Sequence, residues 1–281
     1  MLLDITLVDK TAYYTQLKSL VQKKGRHYCV GFWGQPDQRT MDILAANHFT
    51  FIDLDIPRDS QTPSIFLPQT TCYIIQDIVA NAWDLKDCLD FLIATTGPDK
   101  CEQGRNVAAI LASEGFPVIN ATNTNTSPLR PALISNAAGP LGPRVNRIME
   151  LVYKPLTREE EAYYQERQMK DPQFIFHGVP PRDLSLLDHF PPHTRIEGWT
   201  KLVELGIPGR VDLEWQVFPS IPTVFFTQSF CHKEFLAAYW AKRIGGLHIE
   251  AHASITSSTE AKLQAFLGLA GKPFLREVDI K

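Results

Sequence analysis

Short apolar runs of four to seven residues recur along this chain, each followed by a polar turn and a helix-length segment. HYCVGFWG (27–34), FTFIDLD (49–55), FLIATT (91–96) and FPVINAT (116–122) are such runs in the first half. QFIFHG (173–178), TVFFTQS (223–229) and GLHIEAHA (246–253) continue them in the second. A continuous apolar run marks a strand buried on both faces, and alternation with helices is the pattern of right-handed βαβ units. The pattern predicts an α/β fold of two Rossmann-like lobes, with mainly parallel sheets and a cleft at the strands' C-terminal ends. The first lobe spans residues 1–150 and the second 151–281.

An amphipathic helix is expected to precede the first lobe, because Tyr13, Leu17, Leu20 and Val21 share one helical face before Gly25. Residues 127–171 read as connection, interrupted by Pro and Gly, apart from a charged helix whose Thr157 and Glu160 form a capping box. VDLEWQVF (211–218) reads as an edge strand, and 257–269 as a helix capped by Ser257. SIFL (64–67) and the tail KPFLREVDI are further short strand candidates. Three turns echo one another: GQPDQR follows the first strand of one lobe, GVPPRD follows the first strand of the other, and TGPDK follows the strand at 91–96.

Composition narrows the class of function. A formal charge of -3 supplies no basic field for nucleic acid or an anionic membrane. No apolar stretch reaches the roughly 20 residues that cross a bilayer, and the first residues do not form a signal peptide. The five cysteines form no CxxC pair, which speaks for reduced thiols and a cytoplasmic setting. A soluble protein with a small-molecule partner is expected, with oligomers allowed. GxxxxGK[ST], GxGxxG and GxSxG are all missing, so the usual nucleotide and hydrolase signatures give no guide.

In open α/β sheets, ligands bind outside the C-terminal ends of the strands, where helix N-termini present free N–H groups. In the first lobe this rule selects Trp33, Gly34, Gln35 and Asp37, then Asp53 and Asp55. It adds Thr95, Thr96, Gly97, Asp99, Lys100 and Cys101, and lastly Asn120, Thr122, Asn123 and Asn125. In the second it selects His177, Gly178, Arg182, Thr227, Gln228, Ser229, Cys231 and His232, and finally His252, Ser254 and Thr256. Gly34, Thr96, Gly97, Cys101, Asn120, Asn123, Asn125 and Ser229 are candidate ligand-holding residues. Cys231, His177 and His252 are the candidate catalytic set. A cysteine at a helix start has its pKa lowered by the dipole, and a histidine from another strand could serve it as base.

His248, Glu250 and His252 alternate along one strand face, a donor set that suits a divalent metal. Residues four apart on a strand are roughly 13 Å apart, so at most two of them reach one ion, with His232 a further ligand. The nature of any cofactor stays open. Residues 101–122, CEQGRNVAAILASEGFPVINAT, resemble a segment of the glycine and proline reductase subunits, in which a cysteine turn opens a helix leading to a Pro-Val strand. The second cysteine or selenocysteine position of that segment has no counterpart here, so the resemblance implies no activity. The expected function is an enzyme acting on a small polar or anionic molecule between the lobes, metal-assisted or using a Cys/His pair. The alternatives are a non-catalytic binding or cofactor-assembly protein and a structural subunit of a complex.

Overall fold

The computed structural model describes residues 28–56, 67–68, 70–97, 100–251 and 254–269. The expected N-terminal helix, the tail strand and most of SIFL lie outside them. The first sheet is built from β1 (Tyr28–Trp33), β2 (Phe49–Asp53), β3 (Phe91–Thr95) and β4 (Val118–Ala121). They are joined by α1 (Gln38–Ala46), α2 (Tyr73–Asp84) and α3 (Glu102–Ser113). Every pairing is parallel and the order is β2-β1-β3-β4. Right-handed crossovers put α1 on one face and α2 and α3 on the other. On the α2/α3 face Trp33, Leu54, Leu92 and Ala94 pack with Ile75, Ile78, Val107 and Leu111. On the opposite face Phe32 and Phe51 meet Tyr153, with ring centroids 5.9 and 6.4 Å away.

The second sheet repeats this order as β6-β5-β7-β8, again all parallel. Its strands are β5 (Phe174–Gly178), β6 (Thr194–Glu197), β7 (Thr223–Gln228) and β8 (Leu247–Ala251). With them come α4 (Leu141–Glu150), α5 (Arg158–Glu166), a 3-10 turn at Leu184–His189, α6 (Trp199–Leu205), α7 (Val211–Glu214), α8 (Glu234–Ile244) and α9 (Ser257–Gly268). Gly34 and Gly178, the glycines of two of the echoing turns, stand at the ends of the two central strands that begin each sheet.

The chain divides into two compact units. Unit 1 is 1–130 with 152–154 and 205–210; unit 2 is 131–151, 155–204 and 211–281. The expected boundary at 150 falls at the last residue of α4, a helix that belongs to unit 2.

Several local expectations are corrected. Residues 141–150 are helical, not connection: Pro143 lies in the first turn, where its missing N–H has no intrahelical partner to lose. Residues 211–214 form a helical turn, not a strand; Val211 is exposed while Glu214 is buried and ion-paired to Lys233. The 190–198 stretch contributes β6, a four-residue edge strand too short to give a period. The cap of α9 is Thr256 in place of the expected Ser257: its hydroxyl accepts from Thr259 N at 3.2 Å. The capping box at Thr157 and Glu160 is formed as expected. Among the described residues no helix is long and apolar enough to cross a membrane.

Candidate functional site

The order β2-β1-β3-β4 places a topological switch point between β1 and β3, whose connections leave in opposite directions. The crevice there is where an open α/β sheet holds a ligand. Gly34 ends β1 with φ of +72°, a left-handed conformation natural to glycine. Its N–H donates to Asp55 Oδ2 at 2.9 Å, and Asp55 N–H donates to Asp53 Oδ1 at 2.9 Å. A side chain at Gly34 would meet Thr95: a Cβ there would stand 3.0 Å from Thr95 Cβ and 3.3 Å from its Oγ1. It would also come within 3.4 Å of Lys100 Cε. Gly34 is therefore required by close packing as well as by its φ: Thr95 and Lys100 leave no room there for a side chain.

Two polar atoms at this crevice lack hydrogen-bond partners although shielded from solvent: Thr95 Oγ1, on a residue 1 % exposed, and Asp55 Oδ1. Buried polar groups are normally paired, so each orphan calls for an explanation. Trp33 Nε1 and Asn120 Oδ1 are two more orphans. They lie on the α2/α3 face, where Trp33, Ala94 and Asn120 are cross-strand neighbours.

Burial raises the Asp55 carboxyl to about 6; the Gly34 N–H and Lys100 pull it down, and Asp77 pushes it up. Burial, with the charge of Asp55 beside it, also raises Asp53 well above the ordinary carboxylate range. Asn81 holds the loop in place. It is 1 % exposed, and its Nδ2 donates to the carbonyls of Leu54 at 2.9 Å and Ile56 at 2.8 Å, the residues on either side of Asp55. Sequence reasoning missed Asn81; the available signal was an Asn within the apolar stretch IVANAW of helix YIIQDIVANAWD.

Five other first-lobe candidates, Thr96, Gly97, Cys101, Asn123 and Asn125, have structural partners. Cys101 is the N-cap of α3, its sulfur accepting from Gly104 N at 3.4 Å. Gly97 O accepts from Lys100 N at 3.0 Å and Arg105 Nη2 at 3.3 Å. Thr96 is buried, with its N–H on Ala121 O. Asn125 Nδ2 donates to Gly206 O at 2.9 Å and Asn123 Nδ2 reaches the same oxygen at 3.4 Å, so these amides tie loops of unit 1 together. Asp99 lies outside the described residues.

In unit 2, His177 is packed on all sides. Its ring stacks on Trp215 at 4.9 Å and leans on Phe225 at 5.0 Å. Nε2 lies 2.8 Å from Glu214 O, which fixes the proton on Nε2, since a carbonyl only accepts. A Cβ on Gly198 would come within 2.9 Å of Nδ1, so that glycine closes the ring's other edge. Burial lowers His177 to about 4, outweighing the Glu214 carbonyl that favours the charged form. These contacts describe a neutral core histidine.

Cys231 stands in the turn before α8, not in the helix: its N–H donates to Gln228 O at 3.1 Å and its carbonyl accepts from Glu234 N at 3.0 Å. The helix-dipole argument for its thiol is correspondingly weaker. All five cysteines are free. Ser229 is fully buried, its N–H donating to Ala251 O at 3.0 Å, and its Oγ is another orphan. His248 and Glu250 share a face of β8, with His248 Nε2 2.9 Å from Thr227 Oγ1. His232 is exposed before α8, and His252 lies outside the described residues. Among the described residues no three His, Cys, Asp or Glu side chains gather as a metal site. Comparison with known proteins finds no family model that matches this chain and no curated protein similar to it in sequence.

Proposed function

We propose that the protein is an enzyme acting on a small polar molecule at the C-terminal edge of the first sheet, with Asp55 as its proton-transfer group. The observation that carries this reading is the pair of unpartnered polar atoms, Asp55 Oδ1 and Thr95 Oγ1, beside the positive-φ turn at Gly34 at the switch point. A carboxyl whose pKa is near 6 changes protonation state close to neutrality, which general acid–base catalysis requires. One Asp55 oxygen is fixed by the Gly34 N–H, and Asn81 pins both neighbouring carbonyls, so the second oxygen is held in a defined direction. Thr95 would orient the substrate through its hydroxyl, which both donates and accepts.

The test is consumption of small molecules from a metabolite extract, followed by mass spectrometry, with wild type and Asp55→Asn compared. Asn keeps an oxygen for the Gly34 N–H but cannot exchange a proton. A compound consumed by wild type and spared by the variant supports the reading. Equal consumption by both, or binding of a compound without turnover, would refute catalysis by Asp55.

A further inference from the structure

We infer that the outer face of α8 is the surface by which two copies of this chain pair, their α8 helices antiparallel about a two-fold axis. The inference concerns unit 2 and does not depend on the chemistry proposed for Asp55 in unit 1. Helix α8, EFLAAYWAKRI, is apolar on two opposite sides. Its inner side sets Ala237 and Ala241, with Trp240 and Ile244, against Phe225. Its outer side carries Phe235, Ala238, Tyr239 and Lys242, all exposed. These four follow the i, i+3, i+4, i+7 spacing of a single helical face. Phe235 is 81 % exposed, more than any other large apolar side chain among the described residues, and Tyr239 is 51 % exposed. A helix packed on a sheet ordinarily turns charged and polar residues to water, so an apolar stripe in that position marks a contact surface.

Charge selects the occupant. Glu234 stands in the first turn of α8, and Lys242 and Arg243 stand in the last. That placement suits the helix's own macrodipole, and it also makes the face its own complement. Turned end for end, a second α8 brings its basic end beside Glu234 and its Glu234 beside Lys242 and Arg243. A copy running parallel would set like charges together. With the axis between Ala238 and Tyr239, Phe235 falls opposite Lys242 of the second copy, whose ammonium can lie on the ring. Tyr239 meets its own counterpart near the axis, and the small Ala238 beside it lets the backbones approach. A helix of 11 residues is only about 16 Å long, so the contact is small and the dimer weak.

Sedimentation equilibrium of the full chain, from about 1 µM to about 1 mM, should show a dimer with Kd on the order of 10–100 µM. Phe235→Glu and Tyr239→Ser, each acting twice across the axis, should raise Kd more than about tenfold. Both side chains are more than half exposed, so neither change touches the core, and circular dichroism checks the fold. Exchanging charges identifies the partner. Glu234→Lys makes both ends of the face positive, and Lys242→Glu with Arg243→Glu makes both negative. Each variant should be monomeric alone, and their equimolar mixture should form a heterodimer. This arm decides by itself should a ring substitution unfold the chain. Wild type that stays monomeric throughout the range would overturn the inference. So would a dimer indifferent to Phe235→Glu and Tyr239→Ser, or charge variants that fail to pair on mixing.

Discussion

Asp55 sits where its own ionisation is costly, and this cost is measurable. Its carboxyl is raised from the ordinary value of 3.8 to about 6 by burial, so the folded chain prefers it protonated. For a carboxyl raised on folding, the favourable contribution is complete below the unfolded pKa and is lost as pH rises through the folded one. A rise of that size corresponds to about 3 kcal/mol, so Asp55→Asn should be more stable than wild type at pH 7 by up to that amount. The gain should fall to about 0.5 kcal/mol by pH 4 and vanish below about pH 3. Denaturant melts at pH 7 and pH 4 check this; a variant less stable at pH 7 would show that Asp55 is held by partners that compensate its charge.

Asn81 gives the complementary case. Replacing it by Leu keeps the volume in α2 but leaves two carbonyls around Asp55 without donors, at a cost of about 1–3 kcal/mol. Because that loop carries Asp55, ligand binding should fall more than Tm does in Asn81→Leu. Loss of stability with ligand affinity intact would separate Asn81 from the site.

At the scale of elements, what is legible in the sequence depends on whether the deciding contact is local. The buried strands announce themselves as apolar runs, and the capping box of α5 involves residues three apart. Helix α4 is hidden because Pro140, Pro143 and its glycines read as punctuation, while its stabilising partners lie far away in sequence. Arg144, 3 % exposed, donates to Ile134 O at 3.2 Å and Thr194 O at 2.6 Å. Glu204, at the end of α6, accepts from Ile134 N at 2.6 Å and Ser135 N at 2.9 Å. Neither residue's spacing reveals this. Val211–Glu214 misleads for the same reason: VDLEWQVF alternates like a strand, yet Glu214 is fixed by Lys233 from the start of α8 and by the His177 ring on its carbonyl.

The candidate site divides the same way. Fold logic places Gly34, Asp55, Thr95 and Lys100 at strand ends, but only tertiary structure shows which polar atoms lack partners. Glu204→Ala tests the α4 anchor. It leaves two buried N–H groups unpaired and removes an anion whose field stabilises Arg144, at a cost of about 3–5 kcal/mol. Chemical denaturation measures it, and a loss below about 1 kcal/mol would mean that water replaces the carboxylate.

Across the whole molecule, the two units share a strand order but place opposite titrations in their cores. Unit 1 holds Asp55, raised to about 6; unit 2 holds His177, lowered to about 4 from 6.5. For a histidine depressed on folding, the stabilising contribution is present above the unfolded pKa and is lost as pH falls through the folded one. Between pH 7 and 5, Asp55 should therefore add about 1 kcal/mol to unit 1 while His177 removes about 2 kcal/mol from unit 2. Hydrogen exchange followed by mass spectrometry, corrected for the intrinsic rate at each pH, reads the units separately. Protection in β5 and β7 should fall at pH 5 relative to that in β1 and β3. Asp55→Asn should cancel the unit 1 change alone. His177→Phe, which keeps the aromatic stack and removes the titrating ring, should cancel the unit 2 change alone. If both units lost protection equally in wild type, and neither variant altered the pattern, these two side chains would not control the acid response.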